Sequence, residues 1–260
     1  MSQIIYIMMF LSSYCFAAQP TNGQKVITDE QAKKIDQGQK ASLNAIQKAV
    51  DKIQPGSIYS DYVKSETMSP NLESVKNRVY GNKIVKNKLV VFADFACGHC
   101  KTSSKDLKAR VNENKSLVNL TYVFYPMDKA CNTAVNGKLS DYSCYAAKLA
   151  LCAEKEGKVW KAIDYLYEHQ NTSKTISFDT KKFVVDMGKK LGTKGLSSCI
   201  TSKWVDDKLV TEATVHNGLK IPGTPIVLLN NKRFGGTYKN KEIFANFIKF
   251  LNLKEHPQGK

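Results

Sequence analysis

Residues 88–100 read KLVVFADFACGHC, and this stretch decides the fold. Its first half is a short, mostly apolar run, which is typical of a strand buried on both faces of a sheet. Cys97 and Cys100 follow at once, with a glycine and a histidine between them, and a helical stretch continues to about Val111. The stretch therefore predicts a buried strand that leads directly into a helix, with two cysteines at the junction.

Two cysteines at this spacing can be half of a zinc site, a structural disulfide or a redox pair. Zinc needs two further ligands, and the sequence has no second such cysteine pair, so we expect no metal. At a helix start, a Cys97 thiolate faces free backbone N–H groups and the positive end of the helix dipole, which lowers its pKa. The position favours redox chemistry, with Cys97 as the nucleophile, Cys100 as the shielded resolving thiol and His99 as a further donor that tunes the pair.

The remaining elements predict an α/β fold. Residues 117–125 form a second strand, and residues 225–229 turn at Asn230-Asn231 into a returning strand at Arg233-Phe234, followed by a helix over 241–251. Apolar residues at helical spacing predict a block of four helices between these two units, over about 141–155, 158–169, 178–190 and 203–217. A strand–helix–strand unit and a hairpin–helix unit are thus separated by a helical insertion.

A further hairpin is predicted ahead of the first buried strand. Val79-Tyr80 and Ile84-Val85 flank Gly81-Asn82, and a glycine–asparagine pair between short apolar runs is a turn signal.

The segment Gly223-Thr224-Pro225 stands immediately before a strand, where proline is otherwise awkward. A strand, C-G-H-C and a helix, followed much later by G-T-P and a strand, resemble the thioredoxin fold. In that family the proline is cis and packs against the redox disulfide, and the preceding residue offers backbone hydrogen bonds to the substrate. The resemblance implies that Pro225 is the cis-proline and Thr224 the substrate-contacting residue. The residues alone leave an ordinary trans-proline turn open.

Within this family, the sequence resembles the bacterial periplasmic Dsb-type proteins over about residues 75–253. The long helical block and the sequence Phe-Ala-Asp-Phe-Ala before Cys97 carry this likeness, and DsbA-like oxidases and DsbC/DsbG-like isomerases both stay open. One position departs from the pattern, because thioredoxin and DsbA have a buried acid six residues before the first cysteine and this chain has Val91 there. Asp94 is nearer to the motif, and the sequence leaves open whether it faces solvent.

The N-terminus predicts export. Residues 1–19 carry no charged side chain, and Ala17 and Ala18 are small enough for cleavage after either of them. Residues 1–18 are therefore interpreted as a cleaved secretory signal peptide, which implies a periplasmic location. An uncleaved anchor, or a lipoprotein processed at Cys15, stays open as an alternative.

Residues 19–74 predict a helix over about 28–53 followed by a linker. Apolar residues recur there at three- and four-residue steps on one narrow stripe, and Pro55-Gly56 ends the pattern. The stripe either packs on the following domain or pairs with a second copy, so this arm could form a homodimer. The thioredoxin-like domain with its helical insertion over about 127–217 then occupies residues 75–260.

Four cysteines remain in the helical insertion and the loop that leads into it. Cleavage of the signal leaves an even number of cysteines in an oxidising compartment, so we expect structural disulfides there. The four can pair in three ways. We favour Cys131–Cys144, which closes a loop rich in Gly, Asn and Ser, and Cys152–Cys199. Free buried thiols and a second redox pair are the alternatives.

The net charge of +16 does not by itself indicate a binding partner. The 39 basic residues include three arginines, and the lysines are spread along the whole chain. Nucleic-acid sites favour Arg and dense basic clusters, so we expect no nucleic-acid partner. His169 and His216 are expected to be surface or hydrogen-bonded core histidines, and Phe234 is a candidate border of a substrate groove.

Together these patterns and the resemblance predict that the protein is a periplasmic thiol–disulfide oxidoreductase, which forms or isomerises disulfides in exported proteins. The expected partners are cysteine-containing exported proteins and a membrane redox partner, and no cofactor is expected. The competing hypothesis is a non-enzymatic envelope or surface protein that keeps the fold as a binding module.

Overall fold

The computed structural model describes residues 58–255, together with residues 28–30, 33–34, 37–38 and 41. The chain divides into one unit over residues 1–45 and a second over residues 46–260. In the first unit, the described residues at 29–30, 33–34, 37–38 and 41 are helical and exposed. The signal peptide over residues 1–18 and the apolar stripe of the arm lie outside the described residues.

The second unit alternates short strands with helices. Its strands are β1 (Val79–Tyr80), β2 (Asn87–Ala93), β3 (Val118–Phe124), β4 (Ile226–Leu229) and β5 (Lys232–Arg233). Its helices are α1 (Ile58–Lys64), α2 (Gly98–Glu113), α3 (Asp141–Lys155), α4 (Val159–Glu168), α5 (Thr180–Leu191), α6 (Leu196–Cys199), α7 (Lys203–Thr214) and α8 (Lys241–Glu255). Short 3-10 turns lie at Glu73–Val75, Asn217–Leu219 and Gly236–Lys239.

The strands form a sheet in the order β1-β3-β2-β4-β5. Strand β2 pairs in parallel with β3, which requires the crossover that α2 provides, and antiparallel with β4. The turn between β4 and β5 uses Asn230 and Asn231, both at positive φ, as a tight hairpin of this kind needs. This arrangement confirms the predicted thioredoxin fold with its helical insertion.

Strand β2 is apolar throughout because both of its faces are covered. Leu89 and Val91 belong to a core that also contains side chains of α2, α8 and the insertion helices. Val90 and Phe92 point to the other face and pack with β4 residues in a second core. Burial on both faces removes the alternation of polar and apolar residues that a half-exposed strand shows.

Three sequence predictions differ from the structure. The predicted hairpin over 79–85 is wrong, because β1 pairs with β3 and Ile84 is 87% exposed in a turn. Gly81 has a φ of +89°, and a Cβ there would lie 2.6 Å from Val111 Cγ1, so this glycine lets the chain pass closely over α2. The sequence of β3 alternates apolar and polar residues, which predicts one exposed face, and this prediction is also wrong because even Asn119 and Thr121 are buried.

The third difference concerns the predicted linker before residue 75. Helix α1 lies within it, and Tyr62 is buried, donating its hydroxyl to the Leu229 carbonyl at 3.2 Å. The Tyr62 ring also meets Phe247 of α8 edge-on. The compact part of the chain therefore starts before residue 75, because a short segment rich in turn residues can still bury one large aromatic ring.

A buried ion cluster attaches the helical insertion to the sheet. Arg78 is fully buried and donates to Glu154 of α3 at 2.9 and 2.7 Å and to Glu212 of α7 at 2.7 Å. Its guanidinium also lies 4.0 Å from the ring centre of Phe124. Removing one partner of such a buried cluster typically costs about 3–5 kcal/mol, because the others stay buried without compensation.

His216 contradicts the expectation of a surface or hydrogen-bonded histidine. Its ring is fully buried edge-on to Phe92, and neither ring nitrogen has a hydrogen-bond partner within the described residues. Burial lowers its pKa to about 4, against a smaller opposing effect of the Glu212 charge. The folded protein thus disfavours the charged imidazole.

We expect this histidine to lower the stability of the folded protein as the pH falls. The pKa of His216 is depressed on folding, so the unfolded chain binds the proton first, and stability is lost as pH falls from about 6.5 towards 4. Between pH 7 and pH 5 the loss from this ring is about 2 kcal/mol. His216→Phe keeps the contact with Phe92 and should reduce the loss by that amount in thermal unfolding curves. His169→Gln changes an exposed ring and serves as the control, and equal pH dependence in wild type and His216→Phe would contradict the expectation.

Candidate functional site

Cys97 occupies the N-cap position of α2, immediately after β2 and its turn. The register between β2 and β4 pairs Phe92 with Ile226, which brings the residues before β4 to the same end of the sheet. Cys97 Sγ consequently lies 3.3 Å from the Thr224 carbonyl oxygen, and the Thr224–Pro225 peptide bond is cis. Residues that are 127 positions apart in sequence thus face each other across one cleft.

The surroundings of Cys97 stabilise its thiolate. Its pKa falls to about 5, first because the Cys100 side chain hydrogen-bonds to it, and further through the Cys100 and His99 backbone N–H groups and the Thr224 side chain. Partial burial of Cys97 opposes this shift. The pKa of Cys100 is raised far above its ordinary range, because that thiol is fully buried and faces the Cys97 charge. These two shifts favour a thiolate at Cys97 and a protonated thiol at Cys100 at neutral pH.

His99 supports the thiolate through its backbone. Its N–H group lowers the pKa of Cys97, whereas its imidazole is exposed to solvent. Other residue types could also supply this main-chain hydrogen bond, and tuning of the pair by the exposed His99 ring stays a prediction.

Asp94 lies beneath the motif and does not face solvent. Its side chain is 1% exposed, with one oxygen accepting from the Ala96 N–H and the other from the Met127 N–H and the Ser143 hydroxyl, all within 2.7–2.8 Å. Burial raises its pKa to about 6 against these hydrogen bonds, and the Cys97 charge adds to the rise. The carboxyl joins the turn before Cys97 to the loop after β3 and to α3.

Two residues, one in the last turn of α4 and one just after it, hold the backbone over residues 94–97. Gln170 Nε2 donates to the carbonyls of Phe95 and Cys97 at 2.6 and 2.9 Å. The Tyr167 hydroxyl donates to the Asp94 carbonyl at 3.3 Å and also hydrogen-bonds to the Tyr122 hydroxyl. Sequence analysis did not single out Gln170, because a lone polar residue after a helix carries no local signal of a distant partner.

The open side of Cys97 faces a cleft of about 580 Å³. Its lining includes Thr224 and Ile221 and residues of the loop between β3 and α3, among them Met127 and Val135. Phe234 does not border this cleft. It is buried and stacked on Phe247, so its predicted place at a groove is wrong.

The remaining predicted site residues form two disulfide bonds. Cys131 is joined to Cys144 and Cys152 to Cys199, while Cys97 and Cys100 are the free cysteines of the described residues. The first bond ties the loop after β3 to α3, and the second ties α3 to the end of α6. Disulfides of this kind stabilise folded domains by a few kcal/mol, about 2–4 in typical cases.

No group of three or more His, Cys, Asp or Glu side chains within residues 58–255 is arranged to hold a metal ion. None of the helices in the described part of the chain is long and apolar enough to cross a membrane.

Comparisons with known proteins relate this chain to a sequence family and to solved structures. The sequence model of the family described as Thioredoxin matches residues 73–249. Oxidised BdbD from Bacillus subtilis matches with a TM-score of 0.56 and 18% identity, covering 71% of this chain and 96% of that one. The thiol-disulfide exchange protein α-DsbA2 from Wolbachia pipientis matches with a TM-score of 0.51 and 18% identity, covering 81% and 98%.

A third solved structure, a thioredoxin-like oxidoreductase from Silicibacter pomeroyi, matches with a TM-score of 0.52 and 18% identity, covering 69% of this chain and 96% of that one. At this identity the three likenesses show a shared fold. A search of the curated proteins found no match.

The charge of Cys97 predicts an effect on the Asp94 pKa. Cys97 has the lower pKa of the two, so its thiolate is already present when the Asp94 carboxyl loses its proton. Cys97→Ser removes that charge, so we expect the Asp94 pKa to fall below about 6. The carboxyl carbon resonance of Asp94 in NMR spectra, followed against pH, measures it. Thr102→Ser, at an exposed position of α2, is the control and should leave the value unchanged, whereas an unchanged value in Cys97→Ser would contradict the expectation.

Proposed function

The chain belongs to the thioredoxin family, and on that basis we propose that it is a thiol–disulfide oxidoreductase with Cys97 and Cys100 as its redox pair. The observation that carries the proposal is the asymmetry of the two thiols. Cys97 borders an open cleft with its pKa lowered to about 5, and Cys100 lies buried behind it with its pKa raised. A reactive thiolate beside a shielded partner is what thiol–disulfide exchange requires.

The exchange proceeds through a mixed disulfide. When the pair is oxidised, a substrate thiolate attacks Cys97 Sγ, the Cys97–Cys100 bond breaks, and the Cys100 thiolate leaves and takes up a proton. A second substrate thiolate then attacks the substrate sulfur of the mixed disulfide and releases Cys97 as a thiolate. The substrate loses two electrons and gains a disulfide, and the cysteine pair is reduced.

The direction we propose is oxidation of the substrate. A thiolate that the protein stabilises makes the reduced pair more stable, so the disulfide form is a stronger oxidant. A leaving thiol of low pKa also departs faster in the second step. Here the stabilising groups are a buried thiol, two backbone N–H groups and the Thr224 side chain, all of which are in place before the substrate arrives.

Thr224 is proposed to align the substrate. Its carbonyl oxygen faces Cys97 Sγ at 3.3 Å, so an extended substrate backbone beside the cis peptide bond can hydrogen-bond next to the reacting sulfur. Pro225 contributes by holding that carbonyl towards the cleft. Positioning of this kind lowers the entropic cost of bringing two sulfur atoms together.

The cellular setting belongs to the same proposal. Residues 1–18 support export to the periplasm, where reduced exported proteins would be the substrates. Repeated oxidation of such proteins requires an electron acceptor, and a membrane redox partner is proposed for this step. Isomerisation of existing disulfides is the alternative activity of the same pair.

The reduction potential of the Cys97–Cys100 pair against glutathione tests the proposed direction. We expect a value of about −120 mV, as in a strong oxidase, whereas a value well below about −200 mV would indicate a reductase. Cys97→Ser should abolish exchange, and Cys100→Ser should instead accumulate the mixed disulfide in mass spectra. Unchanged exchange in Cys97→Ser would favour the non-enzymatic binding module.

The oligomeric state tests the isomerase alternative, since an isomerase generally needs two redox sites that face one cleft. If the arm over residues 28–53 supplies the contact, the purified protein is a dimer and loses the dimer when residues 18–56 are deleted. Light scattering measures both forms, and retained exchange with glutathione checks that the shortened chain is folded. A monomer in both forms would exclude this contact.

A further inference from the structure

The end of the sheet opposite the redox pair exposes an apolar side chain between lysines. The turn before β2 reads Lys83-Ile84-Val85-Lys86. Ile84 is 87% exposed, whereas Val63, the next most exposed large apolar residue within residues 58–255, is 48% exposed. The proposed thiol chemistry does not use this turn. We call residues 83–86 the basic tip.

Hydrogen bonds fix the conformation of the basic tip. The Asn82 side-chain oxygen accepts from the Ile84 N–H at 3.1 Å, and the Asn82 carbonyl accepts from the Asn119 side chain of β3 at 2.9 Å. Val85, the neighbour of Ile84, is buried and anchors the turn from below. The backbone therefore holds Ile84 out into solvent, instead of letting its side chain fold back onto the sheet.

A third lysine lies at the same end of the sheet. Strands β2 and β3 are parallel and their register pairs Asn87 with Val118, so the turns that precede the two strands lie side by side. The Asn87 side chain also donates to the Leu117 carbonyl at 3.0 Å, which ties the two turns together. Lys115 is exposed in the turn before β3 and therefore adds its charge to those of the basic tip.

Acids of the described chain do not neutralise this end of the sheet. Within residues 58–255, Lys83, Lys86 and Lys115 form no ion pair. Glu113, the acid nearest to Lys115 in sequence, pairs with Arg110 at 3.2 Å. Three positive charges thus lie beside one exposed apolar side chain. The surface is suited to a partner that is negatively charged outside and apolar beneath.

A lipid bilayer with anionic headgroups has this layered chemistry. A single exposed isoleucine is common on protein surfaces, and a tip of four residues is too small for a stable protein interface, which buries about 800 Å² on each partner. A bilayer requires less area from the protein. One apolar side chain enters the boundary between headgroups and acyl chains, and flanking lysines are attracted to the anionic surface. The size of the tip therefore favours lipid over a protein partner.

We propose that the basic tip docks the protein on anionic phospholipid bilayers, with Ile84 in the boundary between headgroups and acyl chains and the three lysines against the headgroups. Strand β2 has seven residues, so about 23 Å lie between the tip and the turn before Cys97. Docking in this orientation leaves the cleft at Cys97 in the aqueous phase. The docking itself does not depend on the redox pair.

Sedimentation of the full chain with lipid vesicles tests the docking. The vesicles contain phosphatidylcholine alone, or equal parts of phosphatidylcholine and phosphatidylglycerol. We expect binding to the anionic vesicles, and we expect it to weaken as added salt screens the charges. A variant with Lys83→Glu and Lys86→Glu should bind at least about twenty-fivefold more weakly, because each lysine near an anionic surface contributes about fivefold.

Two control variants assign the binding to the basic tip. Ile84→Ser should weaken it about tenfold or more, because the apolar side chain no longer leaves water, whereas Val185→Ser, at an exposed apolar position of α5, should bind as wild type does. A variant with Lys101→Glu and Lys129→Glu has the same change of charge at two exposed positions near the redox end of the sheet. It should stay close to wild-type binding, because charges farther than a Debye length from the lipid are screened.

Equal binding to the two kinds of vesicle would overturn the docking, and so would wild-type binding in Ile84→Ser or in the Lys83→Glu, Lys86→Glu variant. Binding to soluble polyglutamate that depends on the same lysines and is as tight as binding to vesicles would assign the surface to acidic proteins, and would overturn it too. Reduction of the Cys97–Cys100 disulfide by glutathione, measured on each tip variant, should match wild type because the tip is distant from the pair. Lost vesicle binding with retained exchange therefore supports the docking independently of the proposed function.

Discussion

The antiparallel register between β2 and β4 is the constraint on which the rest of the site depends. It pairs Phe92 with Ile226, so the turn that follows one strand and the turn that precedes the other meet at one end of the sheet. Cys97 and the Thr224 carbonyl then lie 3.3 Å apart. Successive side chains of a strand point to opposite faces, so a slip by one residue would exchange the β4 side chains between the two cores, of which one contains Val227 and Leu229 and the other Ile226 and Leu228. The packing of these two cores therefore holds the register on which the candidate site depends.

Hydrogen bonds stabilise the Cys97 thiolate. The groups that lower its pKa are a neighbouring thiol, backbone N–H groups and the Thr224 side chain, and the Cys97 charge in turn helps to raise the pKa of the buried Asp94 carboxyl. Asp94 is kept in place by its hydrogen bonds to the Met127 N–H and the Ser143 hydroxyl. The active-site turn and the helical insertion are consequently one connected structure. The buried cluster around Arg78 attaches the insertion a second time, from α3 and α7 to the residue before β1.

Local patterns predicted the elements well where the burial of a segment shows in its own sequence. The helix over 141–155 and the strand that precedes Cys97 follow directly from their periodicity. Prediction failed where the role of a residue is set by its contact with a segment that is distant in sequence. Gly81-Asn82 reads as a hairpin turn, but Gly81 is needed for a close approach to Val111. The predicted linker contains Tyr62, whose hydroxyl hydrogen-bonds to Leu229, 167 positions away. Asn119 is polar and nevertheless buried, since the Asn82 carbonyl accepts its hydrogen bond.

The sequence by itself determined the fold class and the chemical character of the candidate site. A buried strand, two cysteines and a helix start are adjacent in the chain, so their geometry follows from the backbone alone. The tertiary structure alone decided which distant groups meet that site. It placed Thr224 opposite Cys97 and buried Asp94 and His216. The physical reason is that hydrogen bonding and burial depend on which segments pack together. The sequence around a polar residue does not indicate which distant group will be its partner.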